Sequence, residues 1–172
     1  TREADLWHVV GLLARKSGAA PAAATAAAVA DRLASADGYE LRYRLIQAAA
    51  VLITHGPARE SIARLLGARD DAPVLRHVAV AELGMKLANP AALPLLLGAT
   101  TDPDPGVREA AVSALADASY SEEAEPVLAL ALATDSWPLV RAAAAAALAG
   151  RCPRPAAADA LYEAVAKETN DA

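Results

Sequence analysis

Residues 102–115, DPDPGVREAAVSAL, join an acidic, proline-bearing turn to an apolar residue, an arginine, and then Ala and Leu at helical spacing. The same order returns at Asp71 (DAPVLRHVAVAEL), at Asp135 (DSWPLVRAAAAAAL) and, more loosely, at Asp37 (DGYELRYRLIQAA). Its arginine falls at Arg42, Arg76, Arg108 and Arg141, so the pattern recurs after 34, 32 and 33 residues. A fixed period of that size marks a stack of supersecondary units, each too small to bury its own apolar face.

Each part of the motif has a physical reason. Val107, Ala111, Ala114 and Leu115 recur at i, i+4, i+7 and i+8, the stripe that an amphipathic helix buries. Alanine in the middle of the stripe lets neighbouring helices approach toward the short end of the usual range of about 8–10 Å. Pro73, Pro105 and Pro138 stand at or just before the first helical turn, where a missing N–H costs nothing. Asp71, Asp104 and Asp135, or the tandem Asp70 and Asp102, stand where a carboxylate accepts from the free N–H groups of a helix start, worth roughly 0.5–2 kcal/mol each.

Composition agrees with helix. Of 172 residues, 55% are hydrophobic yet only 3% aromatic, with no Phe, so much of the apolar content is alanine, the best helix former. Net charge is −5, divided as +2 over residues 1–86 and −7 over residues 87–172. An acidic half repels phosphate backbones and argues against nucleic acid along the whole array. The lone Cys152 has no internal disulfide partner, which fits a reducing compartment. No charged-then-apolar leader opens the chain, and no uncharged apolar run reaches the length of about 18 needed to span a bilayer. A cytoplasmic protein with no membrane association is therefore expected. The start at Thr1 suggests processing or excision from a longer chain, and the Ala- and Arg-rich usage suggests a bacterium of high GC content.

In chain order, helices are expected over about 3–16, 21–35, 39–54, 58–66, 73–88, 90–98, 105–118, 122–133, 138–149 and 156–168, broken by Gly, Pro and Asp-rich turns. No stretch alternates with period two for long enough to form a strand. The expectation is one all-α domain over 1–172: an N-terminal capping helix within 1–18, repeats at 21–54, 58–87, 90–118 and 122–149, and a C-terminal capping helix within 155–169. Terminal units that cap a stack turn a wetter face outward.

The turn-plus-helix pattern D-x-x-V-R-x-x-A-x-x-A-L resembles the HEAT repeat, and its short period resembles the bacterial subset related to phycobilin-lyase repeats. Asp104, Val107, Arg108, Ala111, Ala114 and Leu115 match it best. The unit at Asp71, Leu75, Arg76, Ala79 and Leu83 carries Glu82 in place of an Ala. The unit at Asp135, Val140, Arg141, Ala144, Ala147 and Leu148 sets its Asp one residue further back. The unit at Asp37, Leu41, Arg42 and Ala48 uses Leu45 and Ala49 at core positions. The resemblance spans residues 58–150 closely and 21–54 loosely. It implies an ARM-like α-solenoid of about ten helices in antiparallel pairs, whose second helices line a concave groove, and a role as a binding scaffold.

The chemistry of an enzyme is not found. His8, His55 and His77 share no metal-ligand spacing with one another or with Cys152, and the HExxH, GxSxG, CxxC and Walker patterns are absent. No catalytic, cofactor-binding or metal-ligating residue is assigned, and no small-molecule site is evident. The recurring Arg42, Arg76, Arg108 and Arg141 are expected to bridge to loop carboxylates (Asp71, Asp104, Asp135) of their own or the neighbouring unit, as a ladder that fixes repeat geometry. On the second helices, the residue after the Arg and the one four later point away from the buried stripe. That selects Tyr43 and Gln47, His77 and Ala81, Glu109 and Ser113, Ala142 and Ala146. Tyr43, Gln47, His77, Glu109 and Ser113 form the candidate surface for a protein partner. Trp137, beside Pro138, is expected to plug a junction between units. Two other readings stand beside the protein-binding scaffold: a nucleic-acid-associated or lyase-like HEAT protein, and a structural repeat segment of a larger protein.

Overall fold

The computed structural model describes residues 6, 7, 9, 10, 13, 16, 19–68, 72–116, 122–150 and 155–170. Its helices are α1 (Ala19–Ser35), α2 (Tyr39–Val51), α3 (Gly56–Gly67), α4 (Pro73–Gly84), α5 (Leu93–Ala99), α6 (Pro105–Ala116), α7 (Ala124–Thr134), α8 (Pro138–Ala149) and α9 (Pro155–Asn170). The six described residues before α1 are also helical, and no strand occurs among the described residues. The chain divides into two compact units, residues 1–95 and 96–172.

In the first unit, α1 packs on α2 and α3, α2 on α3 and α4, and α3 on α4. Val29, Leu45, Ile46, Ala49, Ile62, Ala79, Val80 and Leu83 are fully buried between them. In the second unit, α6 packs on α7 and α8, α7 on α8 and α9, and α8 on α9, around Val107, Ala111, Val112, Leu115, Leu128, Val140, Ala144 and Leu148. Within each unit, α1 to α3 and α6 to α8 thus pack on their successors, and α1, α2, α6 and α7 also on the helix after that. First helices stack on first helices and second on second, the nearest-neighbour packing of an all-α solenoid of antiparallel helix pairs. Each buried Leu, Ile or Val contributes about 1.5–3 kcal/mol relative to exposure. The intervening alanines contribute little area but permit the close approach that gives those side chains contacts.

Helix starts follow local chemistry. Asp104 Oδ1 accepts the Val107 N–H at 3.1 Å, satisfying a free donor at the start of α6, while Asp102 Oδ1 accepts the Asp104 N–H at 2.9 Å and shapes the turn before it. A Cβ on Gly106 would lie only 3.1 Å from Asp104 Oδ1, so a side chain there crowds the cap. Pro57, Pro73 and Pro138 occupy the first turns of α3, α4 and α8. Gly38 precedes α2 with φ +83° and ψ 142°, a conformation that residues with a Cβ rarely adopt.

Several boundaries and burials differ from the sequence expectation. The helix expected at 90–98 begins at Leu93, because Asn89 Oδ1 accepts the Ala91 N–H at 3.0 Å and holds the chain in a turn. α2 ends at Val51 rather than Thr54, although Leu52 and Ile53 beyond it remain buried. On α6 the buried set is Val107, Ala111, Val112 and Leu115, with Ala114 only half-buried. The stripe is turned because α6 meets α7 on one side and α8 on the other.

Candidate partner-binding surface

On α2, the helical spacing of Tyr39, Glu40, Tyr43, Arg44 and Gln47 gathers them on one side, and they form a connected cluster. The Tyr39 and Tyr43 rings stack with centroids 6.0 Å apart and planes at 28°. The Arg44 guanidinium lies 5.4 Å from the Tyr43 ring centroid, within cation–π range. Arg44 Nε donates to Glu40 Oε1 at 3.1 Å, and Arg44 Nη1 donates to Gln47 Oε1 at 3.1 Å. Gln47 Nε2 donates to the Tyr43 hydroxyl oxygen at 3.2 Å and, across to α4, to Glu82 Oε1 at 2.8 Å. Gln47 and Glu82 are 35 residues apart, so the bond ties one second helix to the next. Tyr39 remains 52% exposed and is the outward part of the cluster.

Of the sequence-selected residues, Tyr43 and Gln47 therefore meet, half-buried, on α2. His77 is exposed on the stacked α4, as are Val74 and Ala81, and Met85 is exposed just past its end. In the second unit, Glu109 is half-buried and Ser113 exposed on α6, and the stacked α8 adds exposed Ala142 and Ala146. Sequence reasoning missed Glu40, Arg44 and Glu82. The available signal was Glu82 itself, a carboxylate in an alanine position of the stripe, one repeat beyond a glutamine.

The arginine positions are occupied differently from unit to unit. Arg108 Nε and Nη2 donate to Asp135 Oδ2 and Oδ1 at 2.8 and 2.9 Å, a bidentate pair between α6 and the turn before α8. Arg108 Nη1 also donates to the carbonyls of Asp102 at 3.0 Å and Pro103 at 3.2 Å. Arg141 Nη1 donates to the Asp135 carbonyl at 3.0 Å. Arg76 is 2% exposed and its Nη1 donates to the Ala68 carbonyl at 3.4 Å, while Arg42 is half-buried. Asp70, Asp71, His8 and Cys152 lie outside the described residues.

The Arg108 hydrogen bond, joined by the Trp137 N–H, holds the Asp135 carboxyl below the usual carboxylate range despite the opposing effect of burial. The same bond raises the Arg108 guanidinium, again against burial. Asp135 does not cap α8. Standing two residues further back than Asp104 does from its helix, it accepts the Trp137 N–H at 2.8 Å instead. Trp137, expected to plug a junction, is 45% exposed because its backbone is held in that turn ahead of Pro138.

An open cleft of about 510 Å³ beside the α1–α2 turn is lined by Arg32, Asp37, Tyr39 and Glu40 among others. Among the described residues, no group of three or more His, Cys, Asp or Glu is arranged to hold a metal ion, and no helix is long and apolar enough to cross a membrane.

Residues 61–149, just over half of the chain, match the family described as HEAT repeats. The chain belongs to the HEAT-repeat family. The match runs from α3 to the end of α8 and coincides with the span in which the Asp–Pro–apolar–Arg motif is closest to regular. In this HEAT-repeat chain, α1 and α2 lie before the matched span yet pack on α3 and α4 in the same first-on-first, second-on-second manner. No curated protein and no solved structure matches the chain.

Proposed function

We propose that this HEAT-repeat chain is a protein-binding scaffold or regulatory module that engages its partner through the exposed side of its second helices. The observation that carries the reading is the α2 cluster. Two stacked tyrosines and an arginine are fixed in place by Glu40, Gln47 and Glu82 without being removed from solvent. Tyrosine and arginine dominate the energetics of protein interfaces, and side chains already ordered lose less entropy on binding. His77 on α4 in the first unit, and Glu109 and Ser113 on α6 in the second, are the further residues assigned to partner contact, each within its own unit. The single cysteine and the Ala- and Arg-rich composition support a reducing, bacterial cytoplasmic setting.

The test compares affinity capture from source cells by the wild-type chain and by a Tyr43→Ala/Arg44→Ala variant. A protein retained by the wild type should bind the variant about 30-fold more weakly, the loss that corresponds to a hot spot of about 2 kcal/mol. Equal retention by both chains at matched unfolding midpoints, or no retained protein at all, overturns the proposal.

A further inference from the structure

α4 buries its charges and exposes apolar side chains. Arg76 and Glu82, the charged residues of this helix, are 2% and 8% exposed, whereas Val74 is 53% exposed and Met85, next past its end, 67%. A helix on the surface of a stack ordinarily does the reverse. Met85 continues the helical path: its φ of −66° and ψ of −12° are those of a right-handed helix, and its N–H donates to the Ala81 carbonyl at 3.3 Å. His77, Ala81 and Met85 therefore follow one another at i, i+4 and i+8 on one exposed face of the first unit.

Met85 is the chain's one methionine. A thioether is apolar and adapts its shape to a contact, yet a two-electron oxidation turns it into a polar sulfoxide. The exposure of Met85 leaves it open to an oxidant from solvent, and its place in line with His77 puts it on the face assigned to partner contact.

We propose that Met85 is a reversible oxidation site that regulates partner binding by the first unit, an inference that rests on the second-helix surface of the proposed function. Hydrogen peroxide is the oxidant. The thioether sulfur attacks one peroxide oxygen, an S–O bond forms as the O–O bond breaks, and the other oxygen leaves as water. The sulfur loses two electrons and the peroxide gains them. A methionine sulfoxide reductase reverses the change, a thiol pair being oxidised to a disulfide as the oxygen leaves as water. The sulfoxide brings an S–O dipole into a contact that buries it without a partner, so the bound protein is released.

The test treats the full chain with hydrogen peroxide, locates the added oxygen by peptide mass mapping, and measures binding to the protein that the untreated chain retains from source cells. Met85 should gain one oxygen, and the retained protein, when bound, should protect it. Affinity should fall about tenfold on oxidation, the loss expected for one methionine contact, and treatment with the reductase should restore it. Met85→Leu should bind as the wild type does both before and after peroxide, which separates Met85 from oxidation at Cys152 or the tryptophans. Met85→Gln should bind about tenfold more weakly without any peroxide. Both variants should keep the wild-type unfolding midpoint, because Met85 is exposed. Undiminished binding by chain oxidised at Met85, or an equal loss in peroxide-treated Met85→Leu, overturns this proposal and leaves the proposed function standing. An untreated chain that retains no protein overturns both.

Discussion

Replacing Arg108 by Ala removes four hydrogen bonds at once: two charge-assisted bonds to Asp135 at 2.8 and 2.9 Å, and two to the Asp102 and Pro103 carbonyls at 3.0 and 3.2 Å. The side chains of the pair are 14% and 9% exposed, so the lost partner is not readily replaced by bulk water. Asp135 keeps the Trp137 N–H. A charged pair of this kind contributes about 1.5–3 kcal/mol, and carbonyls left under-satisfied add about 1–2 kcal/mol. Since both side chains retain some solvent contact, a destabilisation of about 3 kcal/mol is expected, toward the low end for a broken buried pair. For a chain of this size each kcal/mol lowers the melting midpoint by about 2–4 °C, which predicts a fall of about 6–12 °C. Far-UV circular dichroism melts at neutral pH measure it. Asp135→Ala should produce a comparable loss, and the double variant should lose much less than the sum. If Arg108 served mainly to hold a ligand, the free protein would melt at the wild-type temperature. A midpoint equal to wild type would therefore refute the structural reading of this arginine.

The same pair sets an acid limit. Because Asp135 titrates lower in the folded chain than in the unfolded one, its contribution is complete above about pH 4 and fades as pH falls through the depressed folded value. The stability gap between wild type and Arg108→Ala should stay constant from pH 5 to 8 and shrink below about pH 4, as read by denaturant titration. Gln47→Ala should cost about 1–3 kcal/mol, because Glu82, 8% exposed, loses the amide that donates to it. Adding Glu82→Ala should restore part of that loss, and a fully additive double variant would argue against the bond. Gly38→Ala should cost about 1–3 kcal/mol through backbone strain, since a Cβ there meets nothing within 4 Å and φ is +83°. An unchanged denaturation midpoint for Gly38→Ala would show that the turn relaxes freely.

The architecture was readable because it rests on short-range signals. Proline at the first turn, aspartate before it and apolar residues at i, i+4 and i+8 each act within one or two turns of helix. α8 accordingly runs from Pro138 to Ala149, the bounds expected, and Leu45 and Ala49 are fully buried core residues of α2 as the pattern implied. What could not be read depends on the neighbouring repeat. Val112 is buried and Ala114 half-buried because of how α6 lies between α7 and α8, which no single helix encodes. The bond from Gln47 to Glu82 spans 35 residues and requires the two helices to be in register before it has meaning. Tyr43 was chosen by spacing alone, whereas its setting against Tyr39 and Arg44 is a matter of side-chain rotamers.

Asp135 also bears on how the second unit comes apart. Its carboxylate grips α6 through Arg108, its carbonyl receives Arg141 from α8, and its Oδ1 fixes the Trp137 N–H. Successive turns in a stack of this kind can ordinarily peel away one after another, each release sparing the next. A pin shared by two of them removes that freedom: prising α8 loose strips α6 of its anchor in the same event. The Pro105–Ala149 segment should therefore yield to heat or mechanical pull as one block, even though its sequence was written as separate repeats.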